Sequence, residues 1–160
     1  MKTIFNRKRG LLALFTVITF SALFISCTKN DNNNNSQTYN TTGNASGAQQ
    51  NPAVATTGTG TMTGTYNATT NNWQYTINWS TLTSTASAVE IHGPASAGVN
   101  AALLLGLTIT TPGINGSANG NITLTEQQEA YLLAGQLYYT VLTAAHITGE
   151  IRGQISASIQ

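Results

Sequence analysis

Between Gly58 and Ser80 the chain changes character at every residue. Gly58, Gly60, Met62, Gly64 and Tyr66 alternate with Thr59, Thr61, Thr63 and Thr65; after Asn67–Asn72, Trp73, Tyr75, Ile77 and Trp79 alternate with Gln74, Thr76, Asn78 and Ser80. In an extended strand successive side chains point to opposite faces, so a period of two with aromatic and β-branched residues on one side specifies a half-buried antiparallel strand. The two runs, joined by a polar turn, read as a hairpin.

The rest of the carboxy-terminal block follows the same rule. Strands are expected over 86–92, 101–110, 117–124, 136–144 and 148–159. Residues 101–109 are apolar at nearly every position, the pattern of a central strand covered on both faces, and Thr111-Pro112-Gly113 ends them with turn chemistry. In the last strand Ile151, Gly153, Ile155, Ala157 and Ile159 alternate with Arg152, Gln154, Ser156 and Ser158. One helix interrupts this near 126–134. Thr125 caps it, Gln128 occupies the reciprocal capping-box position, and Gly135 stops it. Glu126 and Glu129 in its first turn complement the helix dipole, a structural role. About seven short strands and one small helix predict an all-β fold, a single antiparallel β-sandwich of Ig-like or Greek-key type.

The amino-terminal part obeys different rules. Lys2, Arg7, Lys8 and Arg9 precede an apolar run, Leu11–Ile25, that falls short of the roughly 20 residues a membrane-spanning helix needs. A basic head, an apolar middle and a small residue before a cut form a secretory signal, here 1–26. Leu23-Phe24-Ile25-Ser26-Cys27 resembles a bacterial lipobox, in which the cysteine receives a diacylglycerol. Cys27 is the single cysteine of the chain, so an intrachain disulfide is not available. Two or more acyl chains anchor stably where one does not. Residues 27–47, rich in Asn, Ser and Thr, are expected to be a disordered tether. Lys29 with Asp31 resembles the surface-export signals of some Bacteroidetes lipoproteins, although composition alone also describes a solvated spacer. The expected location is the bacterial cell envelope, lipid-anchored at the outer membrane, periplasmic or surface-exposed. The domain then occupies 48–160, a common domain length of about 100–150 residues.

Loss of 1–26 leaves Lys29 and Arg152 against Asp31, Glu90, Glu126, Glu129 and Glu150, a mildly acidic chain. A basic footprint for nucleic acid is therefore missing. The expected partners are the membrane, through the lipid on Cys27, and a glycan or envelope protein.

Val89-Glu90-Ile91-His92-Gly93-Pro94-Ala95 resembles the His-Ile-His-Gly-Pro-Ala segment of the chordin-type (CHRD) domain family. Leu124-Thr125, Gln128, Leu132 and Gly135 are similar to that family's helix, and Gly149-Glu150-Ile151-Arg152-Gly153-Gln154-Ile155 to its closing strand. Ala48–Pro52 and the Tyr66–Tyr75 hairpin resemble its opening. The resemblance implies an extracellular β-sandwich; the animal protein chordin repeats such domains and binds growth factors of the bone-morphogenetic class, while bacterial members are exported proteins with no agreed activity. Glu90 stands where the family has its first histidine, and Leu142 where a histidine often precedes the threonine.

Three kinds of chemistry compete for these residues. Glu90 and His92 share a strand face, and a site joining them to His146 and Glu150 suits zinc or copper by ligand type. Against this, Glu150 and Arg152, two apart on the closing strand, are expected to pair at the sheet surface and steady His92-Gly93-Pro94, where Gly93 and Pro94 form a turn. Glu90 with Glu150 is a candidate glycosidase-type carboxylate pair, and nucleophile elbows or phosphate loops are missing. The expectation is a non-enzyme without a cofactor. Trp73, Tyr75, Trp79, Tyr138 and Tyr139 offer an aromatic platform for a glycan, but their alternation makes most of them core residues first.

Overall fold

The computed structural model describes residues 37–160. The predicted signal peptide, Cys27 and the tether up to residue 36 lie outside the described residues. Ten strands form one antiparallel sheet: β1 (Thr38–Ser46), β2 (Thr59–Asn67), β3 (Asn72–Ser80), β4 (Ala86–His92), β5 (Leu103–Leu107), β6 (Ile109–Thr111), β7 (Gly116–Thr123), β8 (Tyr138–Thr143), β9 (Ile151–Gln154) and β10 (Ser156–Ile159), with helix α1 (Glu126–Leu133) between β7 and β8.

The hairpin forms as its alternation demands. β2 and β3 pair in unbroken register from Thr59 opposite Ser80 to Asn67 opposite Asn72. Trp73, Tyr75, Ile77 and Trp79 all turn into the core, where Met62, Tyr66, Ile91, Tyr139, Val141 and Ile151 meet them. Each indole keeps a hydrogen-bond partner, Trp73 donating to Thr41 Oγ1 and Trp79 to the Gly113 carbonyl. The helix has both halves of its capping box: Thr125 Oγ1 accepts from the Gln128 N–H, and Gln128 Oε1 accepts from the Thr125 N–H.

The sheet order is β5-β4-β8-β9-β1-β2-β3-β7-β6, with β10 also pairing β1. β5 and β6 stand at its opposite ends, yet Thr108 alone separates them in the chain. The sheet is therefore curled until its ends almost meet, nearly a barrel, as the twist of strands permits. This replaces the expected two-layer sandwich: a single sheet encloses the core by bending rather than by facing a second one.

The same curl corrects residues 101–110. They are two end strands rather than a central one, and Leu103 is 53% exposed. Their run of apolar residues reflects the crossing from one end of the sheet to the other, where Leu104, Leu105 and Ile109 pack partly on the core. The predicted strand 148–159 is likewise two: the chain bends at buried Ile155, whose N–H donates to the Leu137 carbonyl.

The expected tether ends earlier than composition suggested. Residues 38–46 are β1, paired with β2 along its whole length and with β9 and β10 on the other side. Its inward positions are Tyr39, Thr41, Gly43 and Ala45, of which the last three are small residues that leave room for large ones opposite. The Tyr139 ring lies close to Gly43, and its hydroxyl donates to the Gly43 carbonyl.

Candidate functional site

Register places the family-motif residues on the outer face of β4, β8 and β9. Glu90 pairs with Thr140 and Thr140 with Arg152; His92 pairs with Tyr138 and Tyr138 with Gln154. Their neighbours Ile91, Tyr139 and Gly153 face the core. Two loops, 47–57 and 93–102, fold over this polar row and hold one another. Asn51 Nδ2 donates to the Gly98 carbonyl at 2.8 Å, and Asn100 Nδ2 to the Asn51 carbonyl at 2.7 Å. A peptide link in the cis form joins Gly93 to Pro94, where the chain leaves β4.

Each residue of Gly149–Gln154 has a structural task. Glu150, 0% exposed, accepts four hydrogen bonds: from Thr56 Oγ1 (2.7 Å), the Thr83 N–H (2.8 Å), Thr83 Oγ1 (2.8 Å) and Thr143 Oγ1 (2.9 Å). Burial by itself raises the carboxyl pKa, but the hydrogen bonds from Thr56, Thr83 and Thr143 together bring it below its ordinary value. Gly149 has φ +118, and a side chain there meets Thr140 Oγ1 and the Gln50 amide. Gly153 lies beneath Tyr139, with room for no Cβ: one would stand 2.6 Å from the ring and 2.8 Å from the Asn44 carbonyl oxygen.

Arg152 is 1% exposed. Its guanidinium lies 3.5 Å from the centre of the Tyr138 ring, a cation–π contact. It donates to the carbonyls of Val99 (2.8 Å) and Ser96 (3.4 Å) and to Asn100 Oδ1 (3.3 Å). Gln154 Nε2 donates to the carbonyls of Gly135 (2.8 Å) and Ala95 (3.0 Å), tying the end of the helix to the 93–102 loop.

The expected Glu150–Arg152 ion pair does not form. Glu150 precedes β9 and follows a glycine of positive φ, so strand alternation does not govern it; its carboxylate turns to threonines while Arg152 turns to carbonyls. Among the described residues the acid–base contact formed is a hydrogen bond between His92 Nε2 and Glu90 Oε2, 3.0 Å apart and partly exposed. The His92 ring also stacks on Tyr138, with Nδ1 3.1 Å from the Ala101 carbonyl oxygen.

The four-ligand metal set is not assembled. Glu90 and His92 meet, but among the described residues no three His, Cys, Asp or Glu side chains group together. Glu150 is enclosed by its threonine donors, and His146 belongs to a turn in which its N–H donates to Thr143 and its carbonyl accepts from Gly149. The aromatic platform is not a surface either: Trp73, Tyr75, Trp79, Tyr138 and Tyr139 are all buried.

Two clefts open beside the loop clasp. One, of about 380 Å³, is lined by Pro52, Val54, His92, Ala101, Tyr138 and Thr148 among others. The second, of about 470 Å³, is lined by Gln49, Ala97, Gly98, Arg152 and Gln154 among others, with Gln50 and Asn51 shared between the two. The threonines that hold Glu150 left no distinctive mark in the sequence, because a strand-edge threonine looks the same whether it faces water or a carboxylate. Gln50, which donates to Thr140 Oγ1 at 2.9 Å, lies within the Ala48–Pro52 segment already singled out by resemblance.

Fold and site together define a one-sheet, barrel-like β domain in which the closing-strand motif fastens loops to an outer sheet face. The model of the CHRD domain family matches residues 41–155, and the chain belongs to that family. No match was found among curated proteins or among solved structures.

Proposed function

We propose that this protein is a non-catalytic, lipid-anchored lipoprotein of the bacterial cell envelope whose CHRD domain serves in binding or structure outside the cytoplasm. The family match supports the extracytoplasmic domain, and the lipobox-like Leu23–Cys27 supports the anchor. The observation that carries the non-catalytic reading is the commitment of Glu150: a carboxylate with four internal donors and no exposure is a fastener rather than an acid or base for substrate. Glu90 is already bonded to His92, and neither carboxylate lines the two clefts.

Growth of a bacterial host with a labelled fatty acid tests the anchor. The wild-type chain is expected to carry label and sediment with membranes, and Cys27→Ala to do neither. Label that persists in Cys27→Ala, or that never enters the wild type, sinks the lipoprotein reading. The binding role is tested by retention of the purified chain on arrays of glycans and envelope proteins, which a purely structural domain lacks.

A further inference from the structure

The outer face of β10, β1, β2, β3 and β7 is covered by uncharged polar side chains. Register lines up Ser158, Asn40, Thr65, Gln74 and Asn121 in one row across the five strands, and Ser156, Thr42, Thr63, Thr76 and Asn119 in the next. A third row, Asn44, Thr61, Asn78 and Ser117, follows. All of these are hydroxyls or amides, whereas about a quarter of the residues of an ordinary soluble domain are charged, most of them on its surface. The charged side chains of residues 37–160 lie elsewhere: Glu90 on β4, Glu126 and Glu129 on α1, and Glu150 and Arg152 buried. The face is therefore neutral within an acidic domain.

Between the first two rows runs a trough of about 300 Å³, walled by Asn40, Thr65 and Gln74 on one side and by Thr63 and Thr76 on the other. At its margins Asn40 accepts from Gln160, Thr42 bonds Ser156, and Asn119 donates to Thr110. Among the described residues, the side chains of Thr63, Thr65, Gln74, Thr76 and Asn121 make no hydrogen bond within the protein. Each presents both a donor and an acceptor at the surface. A smaller trough of about 130 Å³ lies between Thr61 and Asn78 on one side and Thr59 and Ser80 on the other, but there Thr59 and Ser80 bond each other. The larger trough crosses the strands, which stand about 4.8 Å apart. That step is close to the advance of one sugar along an extended β-linked polysaccharide. The curl of the sheet makes the face convex, which suits a single flexible chain better than the flat surface of another globule.

We propose that this face binds a neutral, extended β-linked polysaccharide, laid along the trough across β1, β2 and β3 and onward to β7, with one sugar to each strand. The sugar hydroxyls bond the hydroxyls of Thr63, Thr65 and Thr76 and the amides of Gln74 and Asn121. No aromatic ring stands in these rows, so binding comes from hydrogen bonds that are each weak and that accumulate along the chain. The net negative charge of the domain disfavours acidic sugars. The assignment rests on the binding-module reading and gives that module a ligand class.

The test titrates cello-, xylo- and manno-oligosaccharides of three and six sugars, with hexagalacturonate as the acidic control, into the isotope-labelled full chain while following backbone amide signals. Saturable shifts centred on Thr63, Thr65, Gln74 and Thr76 are expected with at least one neutral series. The hexasaccharide is expected to bind at least tenfold tighter than the trisaccharide, and hexagalacturonate not to bind. Thr63→Val combined with Thr76→Val removes two hydroxyls but keeps the β-branched shape, and is expected to weaken binding at least fivefold. If that pair does not fold, Thr63→Arg decides: its long side chain, on an exposed strand position, fills the trough and is expected to abolish binding. His92→Gln, beside the loop clasp, is expected to leave binding unchanged. The proposal is overturned by shifts that never saturate, by a hexasaccharide no tighter than its trisaccharide, by equal binding of hexagalacturonate, by binding that survives the trough variants, or by binding lost in His92→Gln. Such a failure with retention on an array intact removes only this face, whereas loss of both removes the binding-module reading.

Discussion

Glu150 and Arg152 stand two residues apart, both buried and both charged, and the fold treats them in opposite ways. Glu150 is enclosed: three threonines from three separate segments and one backbone N–H satisfy it. Arg152 is cradled: two carbonyls and the Asn100 amide of one loop and the face of Tyr138 hold it. The difference teaches that a motif shared across a family need not have one role. Its first charge fastens interior segments together, and its second fastens the 93–102 loop over the outer sheet face.

The sharpest way to break this contrast is to remove the enclosed charge. Glu150→Leu removes the acceptor of the Thr83 N–H and of three hydroxyls, that of Thr143 fully buried, and is expected to cost about 3 kcal/mol in chemical denaturation. Glu150→Gln keeps an acceptor and should cost less, about 2 kcal/mol. It also isolates the charge. The carboxyl pKa is lowered by folding from its ordinary 4.5, so Glu150 contributes its full stability above that value and loses it as pH falls through the lower, folded one. The wild type should therefore lose melting temperature in acid below about pH 4.5 more steeply than Glu150→Gln; equal slopes would mean that the threonine cage does not hold a carboxylate.

Packing between the two charges offers a smaller effect. Gly153→Ala forces a methyl against the Tyr139 ring and the Asn44 carbonyl, for an expected loss of about 1–2 kcal/mol, measured by urea melts. Gly106→Ala meets nothing within 4 Å and serves as the control, expected within about 0.5 kcal/mol of wild type. Smallest of all is Glu90→Gln. The His92–Glu90 pair is partly exposed, and its loss should change stability by less than about 1 kcal/mol.

The β2–β3 hairpin and the capped helix were legible because their signals are local: alternation over nine residues, and a threonine three positions before a glutamine. β1 was hidden because its inward face, after the lone Tyr39, is Thr41, Gly43 and Ala45. Small residues that make room for Trp73 and Tyr139 have no apolar period of their own, and the run resembles a solvated spacer. The sandwich expected from strand count gave way to one curled sheet because a count says nothing about which strands adjoin, and β5 and β6 reveal the curl only through their pairing. Within the site, Glu150 and Arg152 were expected to pair with each other, and the structure gives each of them other partners. The partners of Arg152 are largely backbone carbonyls, which every residue possesses, and those of Glu150 come from as far away as Thr56.

The pairing of β1 with β10 has one more consequence. The Gln160 N–H donates to the Thr38 carbonyl, and Gln37 is held by the Ala68 N–H, so both limits of the described chain emerge at one pole of the barrel. At that pole α1 covers the core, while Thr56, Thr83, Thr143 and Glu150 seal the other. The polypeptide is nearly a closed ring, and a short linker from residue 160 to 37 would make it one. Circular permutants with new ends in the exposed Ala144–Ala145 turn would keep every strand neighbour while moving the chain ends to the opposite pole.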